Sequence, residues 1–368
     1  MKRVVARAPG RINVIGEHTD YNQGYAMPIA LAQATTVEFA PDDSTSIRLR
    51  SSEEGAGVTF DIHAVPGEVD GWSAYPAGAV WALAEAGHPV VGGSMTVTSE
   101  VPIGAGLSSS AALECAVLLA MNAATGVSLD RLELARIAQR GENDFVGAPT
   151  GLMDQLASIY GEEDRALLID FDTSAVTPVS FDPAAHGCSL VVINSNAAHH
   201  HSTGEYAARR ASCARAARAL GVDSLREVQG EDLERTLARV DGDTDRRRVR
   251  HILTENERVL DCAHAMAEGD LNRVGELMTR SHVSMRDDFE ITTAHIDLIA
   301  ESAVRHGALG ARLTGGGFGG CVIALVPAGD VDALVDAVRG DLRGAEYPAP
   351  DVFLARAGDG ARPTPVSG

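Results

Sequence analysis

The stretch Val101–Gly126, VPIGAGLSSSAALECAVLLAMNAATG, restricts the possible folds more than any other in the chain. It follows the alternating run SMTVTSEV from Ser94 and continues into an apolar, alanine-rich segment. A strand, a glycine-rich turn and a helix in that order place backbone N–H groups at a helix N-terminus, where an anion can be cradled. A Walker loop also needs lysine at the helix start, and a protein kinase needs one on its third strand. Lys2 is the only lysine in the chain, so any bound triphosphate must be neutralised by other groups. The turn also fits a plain helix entry with serine caps. It does not fit a nucleophile elbow, because no serine has glycine on both sides at the Gly-x-Ser-x-Gly spacing, nor a dinucleotide fingerprint, because Gly104 and Gly106 lack a third glycine.

The length of 368 residues suggests about two domains. A net charge of -20 disfavours nucleic acid and anionic membranes, so small-molecule chemistry is the expectation. The 5 cysteines, Cys115, Cys188, Cys213, Cys262 and Cys321, are scattered and never form Cys-x-x-Cys, which suits free thiols in a reducing compartment. The first residues lack the apolar run of a signal peptide, and no window has the roughly 18 uninterrupted apolar residues of a membrane span. A cytoplasmic enzyme is expected.

RVVARAP, RINVIG and TTVEFA read as strands. Ser128 reads as the cap of the helix that follows it, and ALLIDF and SLVVINSNA read as strands separated by a loop. A domain boundary placed in that loop divides the chain into 1–185 and 186–368. Residues from Glu205 to about Arg305 have a helical pattern; the chain then returns to strand, helix and strand, with a frayed tail after Gly358. Both halves mix helix and strand.

Four further segments carry polar chemistry. GRINVIGEHTDYN crowds Arg11, Glu17, His18, Asp20 and Asn22 into one loop, which fits a solvated turn or a polyhydroxyl site. In RGENDFVGAPTGLMDQ, Asp154 falls at a helix start, while Glu142 ends the preceding helix, where a carboxylate meets an unfavourable dipole and a cation would rationalise it. LTGGGFGGC leads into a strand, so it is either a flexible hairpin or a second glycine-rich wall. In NAAHHHSTGEYAARR, His199 to His201 are adjacent residues that face different ways, which disfavours a metal site. The acidic loop Asp241 to Asp245 lacks the spacing of a calcium loop.

Together, GRINVIGEHTDYN, PIGAGLSSSAA and LTGGGFGGC resemble the three signature motifs of the galactokinase branch of the GHMP kinases. GLMDQ resembles that family's catalytic-aspartate motif and EYAARRASC its sugar-contacting segment, so the likeness runs from Arg3 to Val326. The resemblance implies an α+β architecture, with a ribosomal-protein-S5-like N-terminal domain and a ferredoxin-like C-terminal domain around a cleft. It implies transfer of the γ-phosphoryl of MgATP to the C1 hydroxyl of galactose by a monomer or weak homo-oligomer. In the same resemblance Gly104, Ala105, Gly106, Leu107, Ser108, Ser109, Ser110 and Ala111 wrap the triphosphate, and Ser110 and Glu142 hold Mg²⁺. Asp154 is the catalytic base, held ionised by Arg11. Glu17, His18, Asp20, Gly151 and Tyr206 contact the sugar. Thr150 stands where the family frequently has cysteine, which places a hydroxyl near the sugar. A kinase for N-acetylgalactosamine, galacturonate or arabinose, or a silent galactose and ATP sensor, are the rival readings.

Overall fold

The computed structural model describes residues 2–52, 57–197 and 202–364. In the first half, a six-stranded sheet runs in the order Arg362–Thr364, Val4–Asn13, Pro28–Pro41, Gly93–Ser99, Ser46–Ser51, Val58–Asp61. RVVARAP and RINVIG form one strand rather than two, with a register shift between Pro9 and Arg11. Proline has no N–H for the ladder, so the irregularity falls where pairing is cheapest to interrupt.

Behind this sheet the helix Ser109–Thr125 is apolar on nearly every side and runs through the core, where Cys115, Val117, Leu118 and Met121 are fully buried. The helix Ala74–Glu85 lies against the turn after Arg131–Arg140 at a glycine pair: a Cβ on Gly78 would stand 2.9 Å from the Gly141 carbonyl oxygen. The cap of Arg131–Arg140 is Asp130 and not Ser128, because the Asp130 carboxylate accepts from the Glu133 N–H.

A three-stranded sheet, Tyr25–Ala26, Arg165–Asp170, Ala175–Ser180, occupies part of the expected interdomain loop. The second half carries a four-stranded antiparallel sheet in the order Gly310–Thr314, Cys321–Pro327, Cys188–Asn194, Asp351–Ala355, packed with helices that include Asp243–Glu268, Leu271–Ser284 and Ala294–Arg305. One apolar cluster joins the halves: Ile12, Val14, Ile15 and Met27 pack with Val259, Cys262, Leu277 and Ile323.

The expectation of a frayed end fails over the described residues. The N–H of Gly358 donates to the Ala30 carbonyl at 2.9 Å and that of Ala361 to the Ser158 carbonyl at 2.7 Å. Arg362–Thr364 then pairs antiparallel with Val5, Ala6 and Arg7. We propose keeping the division near 185 and 186 up to Ala355 and assigning this last strand to the first half. Among the described residues no helix is long and apolar enough to cross a membrane, and the five cysteines are free and buried.

Candidate active site

A cleft of about 410 Å³ opens between the halves, a size that suits a small ligand. Its walls are Arg11 and the loop after it, the glycine-serine turn, the segment Ala148–Asp154, Tyr206, and Gly315 to Gly317.

Backbone constraints aim each wall. A Cβ at Gly10 would lie 2.6 Å from the Leu107 carbonyl oxygen, so glycine lets the first strand touch the glycine-serine turn. The Arg11 N–H then donates to that same carbonyl at 3.1 Å. The shift at Pro9 and Arg11 thus delivers the Arg11 side chain into the cleft, where its Nη1 donates to the Gly106 carbonyl at 2.7 Å. Its Nε and Nη2 donate to the two carboxylate oxygens of Asp154 at 2.7 Å each, a two-pronged pair that fixes direction as well as distance. Asp154 sits in the first turn of the helix Met153–Tyr160.

Ser108 does not cap its helix. It adopts a left-handed backbone, φ 59, and its hydroxyl donates to Asp154 Oδ2. Ser109 and Ser110 also line the cleft, whereas Ala105 and Ala111 are buried away from it.

Glu142 lies not in the preceding α-helix but in a π-helical turn, Gly141–Val146. Its carboxylate accepts from Ser110 Oγ at 2.8 Å, Thr150 Oγ1 at 3.1 Å and Gln155 Nε2 at 2.8 Å. Burial, reinforced by the nearby Asp154, raises its pKa above the usual carboxylate range. Thr150 therefore turns its hydroxyl to Glu142 and Asn143, and not to the open cleft. Ser110 and Glu142 form an all-oxygen donor pair suited to a hard cation. No group of three or more His, Cys, Asp or Glu residues poised for a metal occurs among the described residues.

On the opposite side, Asp20 and Gly151 touch so closely that a Cβ at Gly151 would stand 1.6 Å from Asp20 Oδ2. Burial pushes the Asp20 pKa up to about 6. The His18 ring is bonded at both nitrogens, to Tyr21 Oη at 2.7 Å and to the Gly316 carbonyl at 3.1 Å, and it lies 4.8 Å from the Tyr206 ring. Tyr206 is on the helix Ser202–Leu220; from that helix Arg209 Nε donates to the Phe289 carbonyl at 2.9 Å and Arg210 Nη1 to the Pro149 carbonyl at 3.2 Å.

Glu17 faces the cleft but is already engaged. Its Oε1 accepts from the Gly315 N–H at 2.9 Å, and its Oε2 pairs with Arg312. Arg312 is wholly buried, donates to the Val14 carbonyl at 2.7 Å, and lies 3.8 Å from Glu255, which Arg258 holds at 2.7 Å. Burial lifts Glu17 to about 7 against the pull of Arg312, while Glu255, despite its burial, is held at about 2 by Arg258 and Arg312. Sequence reasoning missed Arg312. Its available signal was a charged residue in GARLT, on a strand that is otherwise apolar and leads directly into the glycine loop.

Gly315 to Gly320 form the loop of the hairpin Gly310–Thr314 and Cys321–Pro327, with φ 90 at Gly315 and φ 92 at Gly317. It is a hairpin and also a wall of the cleft, because Gly315 stands against the backbone of Gly106. His199 to His201 lie outside the described residues.

Comparisons with known proteins follow the same segments. Residues 1–41 match the galactokinase galactose-binding signature, residues 74–162 the GHMP kinases N terminal domain and residues 262–343 the GHMP kinases C terminal model. The galactokinase of Mycobacterium tuberculosis is 57% identical over 354 residues, covering 96% of this chain and 97% of the relative. That of Streptomyces coelicolor is 46% identical over 358 residues, covering 96% and 92%. The crystal structure of Lactococcus lactis galactokinase complexed with galactose superposes with a TM-score of 0.93 at 33% identity, covering 98% of this chain and 95% of that one. A mevalonate kinase from Methanococcus jannaschii, TM-score 0.71 at 18% identity over 97% and 99% of the two chains, shares the fold.

Proposed function

The chain belongs to the galactokinases of the GHMP kinase superfamily, and from that premise we propose how its cleft performs the phosphoryl transfer. It is an ATP-dependent sugar kinase that converts galactose to galactose 1-phosphate with release of ADP. A kinase using ATP works with a divalent metal. We assign Mg²⁺ to Ser110 and Glu142, which would hold it where it would neutralise phosphate charge in a chain whose only lysine is Lys2.

Phosphoryl transfer leaves the protein little covalent work, so positioning and charge stabilisation carry the rate. In our reading Asp154 accepts the proton of the C1 hydroxyl as that oxygen attacks the γ-phosphorus. Arg11 has two roles: its fork keeps the carboxylate pointed at the acceptor, and its charge faces the transferring group. His18, Asp20 and Tyr206 read the sugar hydroxyls, and the close approach of Gly151 leaves room for Asp20. Glu17 shapes the same pocket from behind through Gly315. The glycine-serine turn, residues 104 to 111, wraps the triphosphate. The observation that carries this reading is the two-pronged Arg11–Asp154 pair at the junction of the sugar loop and the glycine-serine turn.

The test is ADP release from MgATP across galactose, 2-deoxygalactose, glucose, talose, N-acetylgalactosamine, arabinose and galacturonate, with Asp154→Asn alongside. Turnover confined to galactose and its 2-deoxy analogue is expected. The Asn variant should fold normally and lose about 10² to 10⁴ in kcat. Near-normal turnover in that variant removes Asp154 as the base, and preference for another sugar removes the pocket assignment.

A further inference from the structure

His18 and Tyr21 are three residues apart, at opposite ends of a tight turn. His18 has a left-handed backbone, φ 63, and Tyr21 is the middle residue of the 3₁₀ turn Asp20–Asn22. That geometry folds the imidazole back over the phenol, with the rings 5.7 Å apart and nearly perpendicular. Nδ1 lies 2.7 Å from Tyr21 Oη, and Nε2 lies 3.1 Å from the Gly316 carbonyl oxygen in the hairpin loop of the other half.

These two contacts determine where the proton sits. A carbonyl oxygen only accepts, so Nε2 must carry hydrogen. Burial holds the imidazole neutral, with its pKa at about 3, so the ring has one proton and Nδ1 is bare. The phenol, which burial keeps protonated, donates to that bare nitrogen. We propose that Tyr21 is a positioning residue for the sugar pocket: its hydroxyl locks His18 in the Nε2–H tautomer, so that Nε2 donates to the Gly316 carbonyl and ties the hairpin loop to the sugar loop. The other tautomer would set the Nε2 lone pair against the Gly316 carbonyl and push the hairpin loop away from the sugar loop. Tyr21 thus controls how closely the hairpin loop closes over the sugar pocket.

The kinetic part rests on the reading of His18 as a sugar-pocket residue; the tautomer does not. The experiment pairs ¹⁵N spectra of the imidazoles at neutral pH with steady-state kinetics on galactose and MgATP, in the wild type and Tyr21→Phe, using His18→Gln only to assign the signals. The wild type should show a protonated Nε2 and a bare Nδ1 at His18. Tyr21→Phe should give a tautomer mixture, with the KM for galactose raised about 3- to 10-fold. Its kcat and KM for ATP should change less than its KM for galactose, a split that general loosening of the fold would not produce. A wild-type His18 protonated at Nδ1 overturns the proposal even if the variant does not fold. An unchanged tautomer in Tyr21→Phe overturns it as well. A tautomer mixture with an unchanged KM overturns it through the placement of His18 in the pocket, whereas wild-type protein inactive on every sugar would count against the kinase assignment itself.

Discussion

At the scale of single residues, Asp20 gives the pocket a pH dependence. Its carboxyl, ordinarily near 3.8, is raised to about 6 by burial, so it is neutral below that pH and ionised above it. The ionised form accepts charge-assisted hydrogen bonds from the sugar hydroxyls, which the neutral acid makes more weakly, so kcat/KM for galactose should rise with pH through about 6, because that ratio reports the free enzyme. In Asp20→Asn this step should vanish. A step that persists at the same pH in the variant would assign it to another group, and Glu17, at about 7, is the neighbour to examine. The polar cluster of GEHTDYN revealed this pocket in the sequence, because Glu17, His18 and Asp20 are too many charged or titratable groups for one short turn between apolar strands. It did not reveal that both oxygens of Glu17 are spent on Gly315 and Arg312, residues nearly three hundred positions away whose contact only the folded chain creates.

The individual elements meet through glycine. Gly315 has φ 90, and a Cβ there would stand 3.0 Å from the Gly106 carbonyl oxygen, the same atom that accepts from Arg11 Nη1. Gly315→Ala should therefore cost about 1–3 kcal/mol in backbone strain and part the hairpin loop from the glycine-serine turn. The expected outcome is a higher KM for ATP together with a lower kcat, read by ADP release; kinetics unchanged from wild type would mean that the two loops do not need to touch. Glycine density made both loops legible in the sequence, as did the strand and helix patterns that flank them. Other elements left no local trace. Ala175–Ser180 holds a proline and mostly small or polar residues, so it reads as a loop until Arg165–Asp170 pairs with it. The π-helical turn that offsets Glu142 begins at Gly141, where Gly78 packs against it, a contact between separate helical segments.

Across the whole molecule, the halves are held by shared apolar packing and by one balanced network, Glu17, Arg312, Glu255 and Arg258. Replacing Arg312 with Met leaves two buried carboxylates facing one cation, and a loss of about 3–5 kcal/mol is expected by urea denaturation. The sign of its pH dependence follows from Glu17. A carboxyl raised from 4.5 to about 7 stabilises the fold at low pH and loses that contribution as pH rises through 7. Without Arg312 the Glu17 pKa rises further, so the deficit of the variant should be larger at pH 8 than at pH 5. A deficit that is flat or reversed with pH would place the stabilising role of Arg312 in packing and not in charge. The last described strand, Arg362–Thr364, has a different kind of consequence. It covers the edge of Val4–Asn13 with residues that follow it by more than three hundred positions. At about 5–20 residues per second the growing chain carries that strand edge unpaired for roughly 20 to 70 s. An open edge is a template for foreign strands, so the interval between the synthesis of these two strands is when this protein is most prone to aggregate, and the earlier strand waits on the later one for its protection.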